Sequence, residues 1–318
     1  MLLGVSREVL SCLSILIQCS SPLGESLLSD PSFFPPFSTA RYRPETSLFG
    51  TMSTPDLAHT PAAPPPAGQT SNFVDPPSQQ AAMIGVSATM TLLTLVFLSV
   101  RFYTSLRITR RPGIEDWLCL AAAVLVFGYT GVILDLSYVS RHMWDVPEIW
   151  FTENYWKIRF GGNTLQALAY FTSRMPILLL YIRLFGTTLR FRIACYIAIG
   201  FAVGTYITSI PLISYFCTPR TTGGDWNSLE VFAECKKLLD WAMVQGSCDI
   251  ALNVYIFFLP IPTILGLHMD RKKRLGVLAI FMTGLVAILC SALGLYYRYK
   301  LSFTSDVNWN EGAFICMS

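Results

Sequence analysis

The chain has 318 residues, 53% hydrophobic and only 14% charged, with a mean hydropathy of +0.48. A soluble domain carries roughly a quarter charged residues, so a water-facing surface is excluded for most of this chain, and a polytopic membrane protein in contact with a lipid bilayer is expected. The net charge of +3 is not gathered in one basic tract, which argues against nucleic acid as a partner.

Residues 1–80 differ from the rest. The stretch Pro61-Ala-Ala-Pro-Pro-Pro-Ala-Gly68, followed by Pro76-Pro77, is proline-rich and has no apolar periodicity, so it reads as a disordered, extended tail. The apolar patch Val9 to Ile17 behind Arg7 resembles a short signal peptide interrupted by Glu8. Translation starting at Met52 is the other reading of this end, and both stand.

From Ala81 onward, apolar runs long enough to cross a bilayer follow in series; a helical span needs about 20 such residues. They cover Ala81 to Val100, Trp117 to Leu134 with an extension to Val139, Gly161 to Leu184, Ile193 to Phe216, Trp241 to Leu267 and Leu275 to Tyr297. Pro176, Pro211, Pro260 and Pro262 are expected to kink their spans. After an outside segment, Arg298 to Trp309, the piece from Gly312 to Ser318 reads as the opening turns of a seventh helix. The expected fold is therefore an all-α transmembrane bundle over 81–318, with six complete spans and a seventh cut short.

The short loops are basic: Arg101, Arg107, Arg110 and Arg111 in the first, Arg183, Arg190 and Arg192 in the second, Arg271-Lys272-Lys273-Arg274 in the third. The alternate loops hold Asp145, Glu148 and Glu153, or Asp225, Glu230 and Glu234. The positive-inside bias puts the basic loops in the cytoplasm and the N-terminus outside, with the plasma membrane as the expected site.

Cys217 and Cys235 share one outside loop, an oxidising compartment, and a disulfide between them is expected, against the alternative of two free thiols. Cys119, Cys195, Cys248 and Cys290 lie in apolar runs and read as small buried hydrophobes. His59, His142 and His268 have no metal-ligand spacing, so no metal site is expected. Asp135, Arg174 and Asp249 are ionisable residues inside spans, where a charge costs about 2.5 to 3.5 kcal/mol even on the gentler insertion scale, so each needs a partner or a watery cavity. Arg174 and Asp249 are opposite in sign and are expected to meet in an outward-facing polar pocket with Asn163, Gln166, Gln245 and Asn253; a purely structural ion pair is the competing reading. All six lysines (Lys157, Lys236, Lys237, Lys272, Lys273 and Lys300) fall in loops or at ends, so no retinal Schiff base and no cofactor is expected. With no nucleophile elbow, P-loop or HExxH on a span, nothing points to an enzyme.

A collinear set of motifs runs through the chain: Glu115-Asp116-Trp117, Arg141-His-Met-Trp-Asp-Val-Pro147, Arg174-Met-Pro-Ile-Leu-Leu-Leu-Tyr-Ile-Arg-Leu-Phe185, Cys217-Thr-Pro219, Cys235, Asp249 with Leu259-Pro-Ile-Pro262, and Ser305-Asp-Val-Asn-Trp309. Together they resemble the fungal rhodopsin-domain integral membrane family, which includes the Pth-type proteins likened to G-protein-coupled receptors. The resemblance covers about Asn72 to Trp309 and implies a seven-helix bundle, an outside-loop disulfide and a sensory role. Asn72-Phe-Val-Asp-Pro-Pro77 is similar to the family's short extracellular head, which favours Met52 as the start. The eight-cysteine CFEM head of some members is missing, and Gly294 stands where the sixth helix usually presents an arginine. A receptor-like protein of unknown ligand is the leading expectation, with Arg183, Arg271, Lys272, Lys273 and Arg274 as candidates for coupling to a heterotrimeric G protein. A transporter or channel using the Arg174/Asp249 pocket is the alternative.

Overall fold

A computed structural model describes residues 58–317 apart from 67, 111–112, 187, 220–223, 228, 263–270 and 304–305. The first helix, α1, runs Gln80–Tyr103 and continues into a π turn, Thr104–Thr109, that Arg110 closes at φ 53°. Helix α2, Ile114–Asp135, opens with Glu115 and Asp116, acids that complement the positive end of the helix dipole. Asp116 also reaches back to accept the Gly113 N–H at 3.0 Å. Three single 3₁₀ turns (Ser137–Val139, Met143–Asp145 and Glu148–Trp150) carry the chain to α3, Glu153–Phe185, which Thr152 caps by accepting the Tyr155 N–H at 3.3 Å.

Helix α4, Leu189–Ala202, passes through a second π turn, Val203–Ile207, into α5, Ser209–Phe216. Pro211 has no N–H to give the Ile207 carbonyl, and the π turn re-registers the chain just before it. Helices α6 (Leu229–Lys236), α7 (Leu238–Phe258), α8 (Arg271–Phe303) and α9 (Val307–Met317) complete the described chain. Among the described residues four stretches are long and apolar enough to cross a membrane: Gln80–Arg107, Ile114–Asp135, Glu153–Arg183 and Leu189–Phe216. Leu92, Val124, Ile197 and Phe258 are all exposed on their helices, as expected of surfaces in contact with lipid.

The all-α class is as expected, and the boundaries shift in an instructive way. The third span starts at Glu153 rather than near Gly161, because the capping threonine starts the helix two turns before the apolar run. The sixth continues to Phe303, so Arg298, expected in an outside segment, is a helical residue facing into the bundle. Asp135, expected within a span, is the exposed last residue of α2.

Helices α2 and α3 approach closely where Gly162 meets Val132, whose Cγ1 would lie 2.8 Å from any added Cβ. A central core of Leu178, Cys195, Ala202, Tyr206 and Leu252 locks α3, α4 and α7 together. A smaller cluster of Val139, Val146, Phe151 and Tyr155 fills the end of the bundle under the α2–α3 connection. There the segment expected to be a free tail is laid down: Ala62 N–H donates to Val146 O (3.0 Å), Glu148 N–H to Thr60 O (3.0 Å) and Gln79 N–H to Ser140 O (2.9 Å). Its extended backbone can satisfy its polar groups on a partner loop, which composition alone does not reveal. Residues 1–57 lie outside the described residues.

A polar cavity between the helices

A cavity of about 550 Å³ opens between α1, α2, α3, α7, α8 and α9. On α3, Gln166, Tyr170 and Arg174 recur every four residues and share one face. On α7, Asp249 and Asn253 repeat that spacing, and on α8 Ser291, Gly294 and Arg298 line the wall at intervals of three and four.

Asp249 is the junction. One carboxylate oxygen accepts from Arg174 Nη2 and from the Tyr206 hydroxyl. The other accepts from Asn253 Nδ2 (3.2 Å) and Ser291 Oγ (2.9 Å). Asn253 Nδ2 also donates to Ser291 Oγ at 2.7 Å. A carboxylate has about four lone-pair sites, so this one is filled by donors from α3, the π turn, α7 and α8. Arg174 in turn donates to the Tyr170 carbonyl (2.9 Å) and lies over the Tyr170 and Tyr206 rings at 5.5 and 5.1 Å. Its Nε is buried with no acceptor.

Of the residues expected to form the pocket, Arg174, Asp249, Gln166 and Asn253 line this cavity, Gln166 through hydrogen bonds to the Tyr129 and Tyr170 hydroxyls (2.8 and 3.3 Å). Asn163 lines a separate small cavity of about 60 Å³. Gln245 lies beside the larger cavity, where Arg298 Nη1 approaches its Oε1 at 3.5 Å. Several participants were not expected, Ser291, Tyr170 and Tyr129 among them. Tyr206 is fully buried at the π turn; a tyrosine beside a threonine in an otherwise apolar span was the available signal. Arg298 donates to the Ala242 carbonyl (2.8 Å) and stacks over Phe314 (4.7 Å). Gly246 makes room for it, since an added Cβ would lie 3.1 Å from Arg298 Cδ. Gly294, the departure from the family pattern, leaves space that Phe314 of α9 approaches. Beside the cavity, Arg159 Nη2 donates to both oxygens of Glu311 at 2.5 and 2.6 Å, tying α3 to α9.

Above the small cavity, His142 is stacked between Trp144 and Trp309, ring centroids 4.5 and 4.1 Å away, with its Nδ1 2.6 Å from Asp306 Oδ2. Asp306 also accepts the Met143 N–H at 3.0 Å. Two motifs far apart in sequence therefore meet as one lock over the start of α9. At the same end, Cys217 and Cys235 form a disulfide that closes an 18-residue separation.

At the opposite end, Arg183 pairs with Glu115. Asp116 accepts from Arg101 Nε (2.9 Å) and Ser105 Oγ (2.5 Å). The side chains of Arg271, Lys272, Lys273 and Arg274, at the start of α8, lie outside the described residues. Among the described residues no three His, Cys, Asp or Glu side chains gather in a metal-binding group.

Bilayer-length apolar helices packed around a buried polar centre define a multi-pass membrane protein. Residues 100–318 match the model for the fungal rhodopsin domain, and the chain belongs to that family. It is 29% identical over 265 residues to Fugralins biosynthesis cluster protein 2 of Gibberella zeae (strain ATCC MYA-4620 / CBS 123657 / FGSC 9075 / NRRL 31084 / PH-1), covering 80% of this chain and 64% of that protein. It is 25% identical over 211 residues to Polyenoic acids biosynthesis gene cluster protein Ba17b of Metarhizium anisopliae (62% of this chain, 54% of that one). It is 24% identical over 158 residues to a SAT4 family membrane protein of Emericella nidulans (strain FGSC A4 / ATCC 38163 / CBS 112.46 / NRRL 194 / M139), covering 49% of this chain and 41% of that one. The chain thus spans less than two thirds of the length of each of these curated relatives. No solved structure matches it.

Proposed function

We propose that the protein is a receptor-like membrane protein that admits a small molecule from the outer side into the Arg174–Asp249 cavity and signals to cytoplasmic partners, a heterotrimeric G protein among them. The observation that carries this reading is the cavity itself: about 550 Å³, mostly apolar, with a few convergent polar groups. Charges this deep in a bundle are costly to keep and mark ligand or ion sites by default. Two of the relatives are named for biosynthesis gene clusters, which makes a product of such biosynthesis a natural candidate ligand. In this reading the chain lies in the plasma membrane with its N-terminus outside, and it acts without catalysis or retinal. Arg183 and the basic start of α8 are the parts offered to the cytoplasm.

The alternative is a transporter that moves its substrate past the same charges. Guanine-nucleotide exchange in fungal membranes carrying the protein, exposed to fractionated culture extract, separates the two. Receptor action gives exchange that Arg174→Gln abolishes. Uptake of an extract component into proteoliposomes, without stimulated exchange, would replace the receptor reading by the transporter one.

A further inference from the structure

The balance of donors and acceptors around the cavity narrows the chemistry of what it takes. Among the described residues its wall carries two guanidiniums, Arg174 and Arg298, against a single carboxylate, Asp249. That carboxylate has no acceptor capacity left, since Arg174, Tyr206, Asn253 and Ser291 fill its lone pairs. A ligand amine would find no acid to bind. Donors are in surplus instead: Arg174 Nε is buried with no acceptor. Arg298 lies against Gly246, one turn of α7 from Asp249, and its Nη1 donates to the Ala242 carbonyl at 2.8 Å, so the second guanidinium stands on the same wall further along α7. The rest of the wall is apolar, with Val86, Met90, Val126, Leu295 and Phe314 contributing.

We propose that the cavity binds a small amphipathic carboxylic acid, its carboxylate received by Arg174 and favoured by the positive charge of Arg298 on the same wall, and its apolar body along α1, α2 and α9. This rests on the reading of the cavity as a small-molecule site and adds the charge and shape of the occupant. A carboxylate received by a guanidinium gains charge-assisted hydrogen bonds, which an alcohol of the same length cannot form as an anion.

The test is equilibrium binding of radiolabelled octanoate, octanol and octylammonium to the protein in nanodiscs, with empty nanodiscs subtracted. Octanoate is expected to bind about tenfold more tightly than octanol, against the direction of simple partition into lipid. Arg298→Gln is expected to lower that preference by weakening octanoate more than octanol. Arg174→Lys, which keeps a cation beside Asp249 but removes Nε, is expected to weaken octanoate alone. Equal binding of octanoate and octanol, tightest binding of octylammonium, or an octanoate preference untouched in both variants overturns the carboxylate assignment and leaves the cavity reading standing. Failure of all three probes to bind above empty nanodiscs overturns the cavity reading as well.

Discussion

Removing the Asp249 carboxylate should be among the most damaging single changes in the bundle, and removing its partner too should undo much of the damage. In Asp249→Ala, Arg174 keeps its positive charge, its side chain 14% exposed, with no compensating acid. Tyr206, Asn253 and Ser291 lose an acceptor at the same stroke. Breaking a buried pair by deleting one partner costs about 3 to 5 kcal/mol, because an uncompensated charge is left in a low-dielectric interior. Arg174→Leu alone strands the carboxylate, which still has three neutral donors, and should fall at the lower end of that range. With both charges removed in Arg174→Leu/Asp249→Ala, no charge needs desolvation, and the double variant should cost no more than Asp249→Ala alone. Denaturant titration of the four proteins in mixed micelles reads these differences directly. Single losses that add in the double variant would refute the reasoning, since the two side chains would then be acting independently.

The other expectations follow from the two ends of the bundle. Cys217→Ser, or reduction of the native protein, should lower stability by about 3 kcal/mol through restored freedom of the unfolded loop; denaturant titration with and without reductant checks it. Asp306→Ala should open the His142 lock, costing about 1 to 2 kcal/mol in stacking and hydrogen bonding, with hydrogen exchange accelerated across Val307–Met317 and unchanged in α4. At the opposite end Glu115→Gln should cost under about 1 kcal/mol, because Arg183 is 53% exposed and its pair is screened. Asp116→Ala, which strands Arg101, Ser105 and the Gly113 N–H, should cost about 2 to 3 kcal/mol; thermal unfolding of the two variants side by side gives the ranking.

How much of this was written in the sequence depends on the range of the interaction. Apolar runs of bilayer length mark helices because no other open-chain structure satisfies the backbone in lipid, so the helical class was legible from composition and length. Arg174 and Asp249 were legible as partners because opposite charges inside apolar spans have few other ways to be tolerated. Tyr206 was not, because its aim depends on the π turn at Val203–Ile207, which rotates the chain by a fraction of a turn that periodicity does not register. Arg298 was misplaced for a related reason: hydropathy ends a span where charges begin, whereas α8 continues to Phe303 with its arginine turned inward over Phe314. The His142–Trp309 stack joins residues on separate segments, and only the fold brings them to one place.

The placement of Asp249 bears on how occupancy of the cavity would be felt elsewhere. Its four donors come from α3, the π turn of the fourth span, α7 itself and α8, so the network can rearrange only if these elements shift relative to one another. A ligand alters such a balance only by the difference in its affinity for the two arrangements. One that merely fills the apolar part of the cavity offers little difference. One that draws Arg174 Nη2 away as well as taking the free Nε competes directly with Asp249 and changes the relative energies of bundles with the junction closed and open. The buried Tyr206 side chain is the reporter of that choice, since its hydroxyl has Asp249 as acceptor and its ring packs in the core that joins α3, α4 and α7. Tyr206→Phe keeps the packing and removes the hydrogen bond, a loss of about 1.5 to 3 kcal/mol for a bond to a charged group. If the junction links occupancy to helix positions, this variant should bind carboxylates more tightly than the parent, because one tie holding Arg174's partner in place is gone. Weaker binding would place Tyr206 on the ligand rather than on the junction.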